Sequence, residues 1–388
     1  MEDSLTGLPS ISMADRQRLD DFYQRLESER QRFIGYPCSA EFDYSPLYRF
    51  LSFPINNIGD PFVPSNYHLN THEFECEVLE FFRGLCHAPP DGFWGYVTHG
   101  GTEGNMYGIY LGREMLPDGM VYYSEDTHYS VSKILRLLHI RNLMIKSLPD
   151  GRMDLEDLRE TLKIHRDVPP IIFANIGTTM KGAADDLEGI RAILGDLAIA
   201  RHYIHVDAAL SGMILPFVDV PEPFDFSAGA DSLAISGHKM IGCPFPCGVV
   251  LAKKAYVDRT ARNIEYIGTL DTTLAGSRNG DSALFLWYAI RALGVEGWRQ
   301  RVRRCLNVAE YALKRLRDEA GIQAWRHKNS ITVVFPRPSM DVISRWQLAV
   351  HNQWSHLITV PHVGQEVVDR FVADIRADVR NGLKGSPT

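Results

Sequence analysis

Cysteine is scarce in this sequence: six residues in 388, irregularly spaced and without a Cys-x2-Cys pair. That pattern excludes a disulfide-stapled secreted scaffold and a zinc-ribbon module, so free thiols in a reducing cytoplasm are expected. Lysine and arginine form no long block and the net charge of −7 is mild, so neither nucleic acid nor an anionic membrane is an expected partner. No apolar run is long enough for a membrane span, and the first residues lack the order of a signal peptide. A cytoplasmic globular protein is what these absences leave.

Apolar residues make up 45% of the chain, enough to bury a large core. Short apolar runs at Phe93–Thr98, Tyr122–Ser124, Pro170–Ile176, Tyr203–Val206, Leu233–Ile235 and Gly248–Ala252 read as strands. Helical spacing separates them, near Glu73–Leu85, Val131–Leu138, Leu155–Leu162 and Leu187–Leu197. Pro170–Ile176 is almost wholly apolar, as in a parallel strand covered on both faces. Such alternation predicts an open, mostly parallel α/β sheet with functional residues at strand ends. Two further strands, Ile331–Phe335 and Leu357–Val360, lie among helical patterns and predict a small α+β unit at the C-terminus. An amphipathic helix from Ala14 to Phe33 opens the chain; its apolar face needs either its own core or another subunit.

The chemistry gathers at strand ends. Gly237 breaks the Leu233–Ile235 run and presents His238 and Lys239 ahead of a loop stiffened by Pro244 and Pro246. A lysine whose surroundings lower its pKa is a good amine nucleophile for an aldehyde such as that of pyridoxal phosphate. Taken alone, it could equally be a strand-end lysine reaching solvent. Upstream, Asp207 closes the Tyr203–Val206 strand before Ala208 and Ala209, small neighbours that admit a flat ring. A carboxylate there suits a pyridine nitrogen that must stay protonated. Earlier still, Phe93–Thr98 delivers Gly100-Gly-Thr102 to a helix start, where glycine lets an anion approach free N–H groups and Thr102 is expected to cap the helix. His238, Cys243 and Cys247 also lie close together, but they lack the second ligand pair of a zinc site, so no metal is expected.

Nine motifs occur in order: Ile34-Gly-Tyr-Pro37, Ile55-Asn-Asn57, Trp94-Gly-Tyr96, Gly100-Gly-Thr-Glu-Gly-Asn105, Asp126-Thr-His-Tyr-Ser130, Ile176-Gly-Thr-Thr179, His205-Val-Asp-Ala-Ala209, Ser236-Gly-His-Lys239 and Gly276-Ser-Arg-Asn-Gly280. Through them the chain resembles the group II pyridoxal-phosphate-dependent amino acid decarboxylases, most of all bacterial histidine and plant serine decarboxylases. The resemblance implies the fold-type I (aspartate aminotransferase-like) architecture, with a mostly parallel seven-stranded sheet. It also implies division into an N-terminal arm with a substrate-site loop (1–60), a large cofactor-binding domain (61–295) and a small C-terminal domain (296–388).

By the same resemblance Lys239 holds pyridoxal 5'-phosphate, Asp207 faces its ring nitrogen and His128 stacks on the ring. Gly101, Thr102, Ser236 and His238 hold the phosphate, Thr179 and Ala209 flank the ring, and Ser277 reaches the cofactor of a neighbouring subunit. Asn56, Tyr67, His68 and Ser330 are implied substrate contacts, and Tyr266, in an aperiodic segment from Arg262 to Ala275, is the implied proton donor. A homodimer with sites at the subunit interface follows, the N-terminal helix packing on the partner. The expected reaction is loss of carbon dioxide from L-histidine to give histamine. L-Serine is the rival, because Gly59-Asp-Pro-Phe62 and Asn66-Tyr67 look like the plant enzymes, whereas Ala324–Phe335 looks like the bacterial ones. His99 and Asp281 depart from the asparagine and histidine of the family pattern.

Overall fold

Residues that are apolar on both faces end up inside the sheet. Pro170–Asn175 and Ser232–Ser236 are buried along their whole length, as strands sandwiched between two helical layers must be. The structure, a computed structural model, describes residues 11–384. Seven strands lie side by side in the order Phe93–Thr98, Gly248–Lys253, Ser232–Ser236, Tyr203–Asp207, Pro170–Asn175, Met120–Ser124 and Asn142–Ile145. Only Gly248–Lys253 runs against its neighbours. The other six strands therefore end on one edge. From that edge leave the turns carrying Gly101, His128, Thr179, Ala209 and Lys239, the position at which open α/β sheets place their sites.

Two apolar layers cover the sheet. On one face the helices Gly101–Met115 and Ser130–Leu137 pack with Trp94, Tyr107, Val121, Phe173 and Val250. The other face meets the helices His72–Leu85, Leu155–Ile164 and Leu187–Asp196 through Leu79, Leu158 and Ile190. Glycines four apart bring the first of these helices unusually close to the sheet. A Cβ on Gly108 would lie 2.0 Å from His205 Nδ1, and one on Gly104 would lie 2.9 Å from the Ala234 Cβ.

A helical run, Gly280–Asp318, leads out of this layer and is broken at Gly294, whose φ of 59° and ψ of −179° leave the helix. Beyond it a three-stranded antiparallel sheet (Thr332–Pro336, Trp354–Ile358, Val350–His351) is covered by the helices Met340–Trp346 and Gln365–Lys384. Phe335, Trp346 and Phe371 fill the space between. The α+β character expected of this end is what folds.

Two local expectations change. Helix Gly101–Met115 is capped by Gly100, not by Thr102, which lies inside its first turn. Arg262–Ala275 is not aperiodic: Arg262–Ile264 and Thr269–Asp271 pair antiparallel, with Tyr266 in the connecting turn. Nearby, the Arg278 guanidinium faces inward. It is buried against Glu75 and the Gly59 carbonyl, pinning Ser277–Asn279 to the strand Asn56–Ile58.

Candidate active site

A cavity of about 380 Å³ opens on the C-terminal edge of the large sheet, with the small sheet as its far wall. Lys239 enters it from one wide helical turn, Gly237–Ile241. That turn needs its glycine, because a Cβ on Gly237 would lie 2.6 Å from both Cys247 Sγ and a Leu286 methyl. Burial pushes the Lys239 amine below its ordinary pKa, and the charges of Asp207 and Cys38 oppose the shift. The result is an amine with a larger neutral, nucleophilic fraction than a surface lysine.

Asp207 occupies the end of its strand. Its Oδ1 accepts the Ala209 N–H at 3.0 Å and its Oδ2 accepts from Asn105 Nδ2 at 2.8 Å. Two donors fix the carboxylate plane, and the carboxylate lines the cavity. His128 lies on the same wall, its Nδ1 accepting the Ser130 N–H at 3.3 Å. Burial lowers the His128 pKa, with Asp207 raising it and Lys239 lowering it, so the ring is neutral at neutral pH with its proton on Nε2. Ser330 lies just ahead of the first strand of the small sheet. Its Oγ accepts the Thr332 N–H at 3.1 Å and touches the Gly182 turn, where a Cβ would approach within 2.2 Å.

One end of the cavity suits an anion. Gly101 and Thr102 begin a helix of 15 residues, so their N–H groups have no partner within it and the helix dipole is positive there. Ser236 and His238 line the same cavity. A Cβ at position 101 would lie 2.7 Å from Ser236 Oγ, so glycine keeps this corner open. His238 turns its Nδ1 away, to 2.9 Å from the Cys247 carbonyl, and burial holds its pKa down.

An anion cradle, a lysine of lowered pKa and an anchored carboxylate around one cavity coincide with a family assignment: the conserved domain of pyridoxal-dependent decarboxylases matches residues 70–336. The chain belongs to that family. It is a carboxy-lyase whose cofactor is pyridoxal 5'-phosphate. The decarboxylase is 51% identical to the histidine decarboxylase of Morganella morganii, over 95% of this chain and 98% of that one. It is 50% identical to the histidine decarboxylase of Klebsiella aerogenes, again over 95% and 98%. Among solved structures it superposes on L-methionine decarboxylase from Streptomyces sp.590 with a TM-score of 0.87 at 26% identity, covering 98% of this chain and 99% of that one. The glutamate decarboxylase of Lactobacillus brevis shares the fold, with a TM-score of 0.82 at 17% identity over 100% and 96% of the two chains.

The decarboxylase's own residues fit the cofactor. A helix N-terminus with an open glycine corner accepts a phosphate, and an anchored carboxylate and a lysine amine share the cavity with it. Of the residues singled out in the sequence, Gly101, Thr102, His128, Thr179, Asp207, Ala209, Ser236, His238, Lys239 and Ser330 line this one cavity. Asn56, Tyr67, His68 and Ser277 do not. Asn56 donates to Ser277 Oγ at 3.1 Å, Tyr67 donates to the Pro54 carbonyl at 2.7 Å, and His68 is exposed. Their loop is tied to the 262–279 region, on the outside of the cavity of their own chain. The side chain of Tyr266 lies outside the described residues.

Several wall residues carry no signal that single-residue reasoning would single out. Cys38 and His356 line the cavity, and His356 bridges the N-terminal segment and the Met180 turn, 3.1 Å from the Gly35 carbonyl and 3.0 Å from that of Met180. Asn105, inside the Gly100–Asn105 motif, touches Asp207; its place one helical turn after Gly101 is the one signal the sequence offers for it.

Proposed function

We propose that this decarboxylase converts L-histidine to histamine and carbon dioxide. The observation that carries the substrate is end-to-end similarity to histidine decarboxylases at about half identity. The serine reading loses its footing at Gly59–Phe62. Asp60 is buried, taking bonds from Trp94 Nε1 at 2.8 Å and Thr272 Oγ1 at 3.0 Å, so that likeness belongs to the framework and not to the cavity.

In this reading Lys239 holds the cofactor and yields it to the substrate amine. Gly101, Thr102, Ser236 and His238 take its phosphate, with Thr179 and Ala209 beside the ring. Asp207 faces the ring nitrogen and keeps it protonated. His128, neutral, lies against the ring and leaves room for the substrate carboxylate, and Ser330 borders the side-chain pocket. When bound, the cofactor supplies the electron sink that accepts the electrons left by carbon dioxide. Tyr266 is the proposed donor of the proton that replaces carbon dioxide on the α-carbon.

The test is carbon dioxide release from each standard L-amino acid by cofactor-loaded protein. A dominant histidine signal is expected. A dominant serine signal would overturn the substrate while keeping the reaction, and no release from any of them would overturn both.

The working unit we propose is a homodimer. None of the residues of helix Met13–Arg30 is buried, and Leu19, Phe22, Tyr23 and Leu26 are 58%, 46%, 60% and 50% exposed. An unpartnered apolar face of that extent marks a protein interface. Asn56, Tyr67, His68 and Ser277, outside their own cavity, would then serve the partner's. The combined substitutions Phe22→Asp and Leu26→Asp should turn a dimer into a monomer in sedimentation velocity and lower activity with it. A wild-type protein that sediments as a monomer would sink this assembly.

The break at Gly294 supports a domain division near 295/296. Among the described residues no helix is long and apolar enough to cross a membrane. All six cysteines are free, which supports a reducing, cytoplasmic location.

A further inference from the structure

Behind Asp207 a line of hydrogen bonds runs into the interior, away from the cavity. Asn105 Nδ2 donates to Asp207 Oδ2 at 2.8 Å, and Asn105 Oδ1 lies 3.0 Å from His205 Nε2. His205 Nδ1 lies 2.7 Å from Ser232 Oγ, which in turn accepts from the Tyr203 hydroxyl at 2.8 Å.

The direction of each bond follows from its neighbour. A carboxylate only accepts, so the Asn105 nitrogen faces Asp207 and its oxygen faces His205. His205 must then donate from Nε2. Complete burial pushes the His205 pKa down to about 3, so the ring carries one proton and Nδ1 is left to accept from Ser232. Ser232, its proton committed, accepts from Tyr203. Every donor points toward Asp207. Hydrogen bonds aligned in series polarise one another, and burial strengthens them further.

The packing is shaped around this line. His205, Ser232 and Tyr203 are buried, as is Asn105. Gly108, whose absent side chain would collide with the His205 ring, lets the Asn105 helix lie on the sheet. Phe173 covers the ring from the neighbouring strand at a centroid distance of 5.3 Å. Two of the polar groups sit on the Asp207 strand, one on the next strand and one on the helix above, so the line depends on their register.

We propose that Asn105, His205, Ser232 and Tyr203 are positioning residues for decarboxylation, a fixed line of dipoles that holds the Asp207 carboxylate in place against the cofactor's ring nitrogen. The proposal rests on the reading of Asp207 given above. A neutral His205 with both nitrogens committed holds this charge without exchanging a proton, so the line acts electrostatically and not as a relay.

The experiment loads the holoenzyme and its variants with pyridoxal phosphate labelled with ¹⁵N in the ring. It reads the ring-nitrogen chemical shift, cofactor retention, melting temperature and kcat. Asn105→Ala should move the nitrogen signal toward the unprotonated value and lower kcat by roughly 10-fold to 100-fold, as expected for one lost hydrogen bond to a charged group. Ser232→Ala and Tyr203→Phe should move it in the same direction by progressively less, and Ser232→Thr, which keeps the hydroxyl, should restore it. Should Asn105→Ala fail to fold, Tyr203→Phe, which deletes one oxygen, still carries the test. A nitrogen signal unmoved by these variants but moved by Asp207→Ala would overturn the proposal and leave the reading of Asp207 standing. A signal unmoved even by Asp207→Ala would overturn that reading and the proposal with it.

Discussion

Lys239→Ala protein is expected to purify without the visible absorbance of bound cofactor and to release carbon dioxide at no more than about one ten-thousandth of the wild-type rate. In the role proposed for Lys239, two contributions are lost together. One is the covalent attachment that holds the cofactor in the cavity; the other is an amine that can exchange for the substrate's. Lys239→Arg separates these from charge alone. A guanidinium stays protonated and cannot act as the amine nucleophile, so arginine should fail as fully as alanine. The lowered Lys239 pKa points the same way, because enclosure favours the neutral amine that attacks. Absorbance spectra and a carbon dioxide assay on the purified variants decide the matter, and unchanged cofactor absorbance in Lys239→Ala would remove this lysine from its assigned role.

Asp207→Asn should keep the fold and much of the cofactor, yet lose about 10²-fold to 10³-fold in kcat, the usual cost of removing one preorganised electrostatic partner. Asparagine nearly matches aspartate in shape, and its oxygen can still accept from Asn105 or from the Ala209 N–H. What it lacks is the negative charge that, in the role proposed for Asp207, holds a proton on the ring nitrogen. The loss should therefore fall on kcat more than on KM. A cofactor analogue methylated on the ring nitrogen, permanently positive, should recover part of the rate. Steady-state kinetics at saturating cofactor provide the check; a kcat within twofold of wild type would mean that Asp207 has only a structural function.

Both residues are legible in the sequence because their signals are local. Lys239 follows a buried strand and a glycine that breaks it; Asp207 ends a strand before two alanines. Gly101 is legible for the same reason, a glycine turn delivered by a strand to a helix start. In each case the chemistry needs a particular residue type at a strand end, and a strand end can be read from a run of a few residues. The helical cap is not legible in this way, because Gly100 and Thr102 both suit a helix start and only the backbone torsions separate them.

Other features depend on residues far apart in the chain. Asn56 meets Ser277 across 221 positions, and that pairing carries the Asn56 loop to the outside of its own cavity. No periodicity near Asn56 encodes where Ser277 will be. His205 reads, in sequence, as one more residue of a buried strand. Its importance comes from strand register, which sets Ser232 beside it, and from the Gly108 helix, which sets Asn105 above it. The N-terminal helix spaces Leu19, Phe22, Tyr23 and Leu26 as a helix would, but whether those side chains land on their own subunit is decided by where the chain goes next.

By itself, then, the sequence determined the alternation of strands and helices, the glycine turn at a helix start, and the lysine and aspartate at strand ends, because local hydrophobic pattern and glycine placement dictate them. The tertiary structure alone decided which of the loop residues share the cavity and which polar groups stand behind Asp207. Those depend on distant segments meeting in one register, and a contact between distant segments leaves no trace in the local pattern of either.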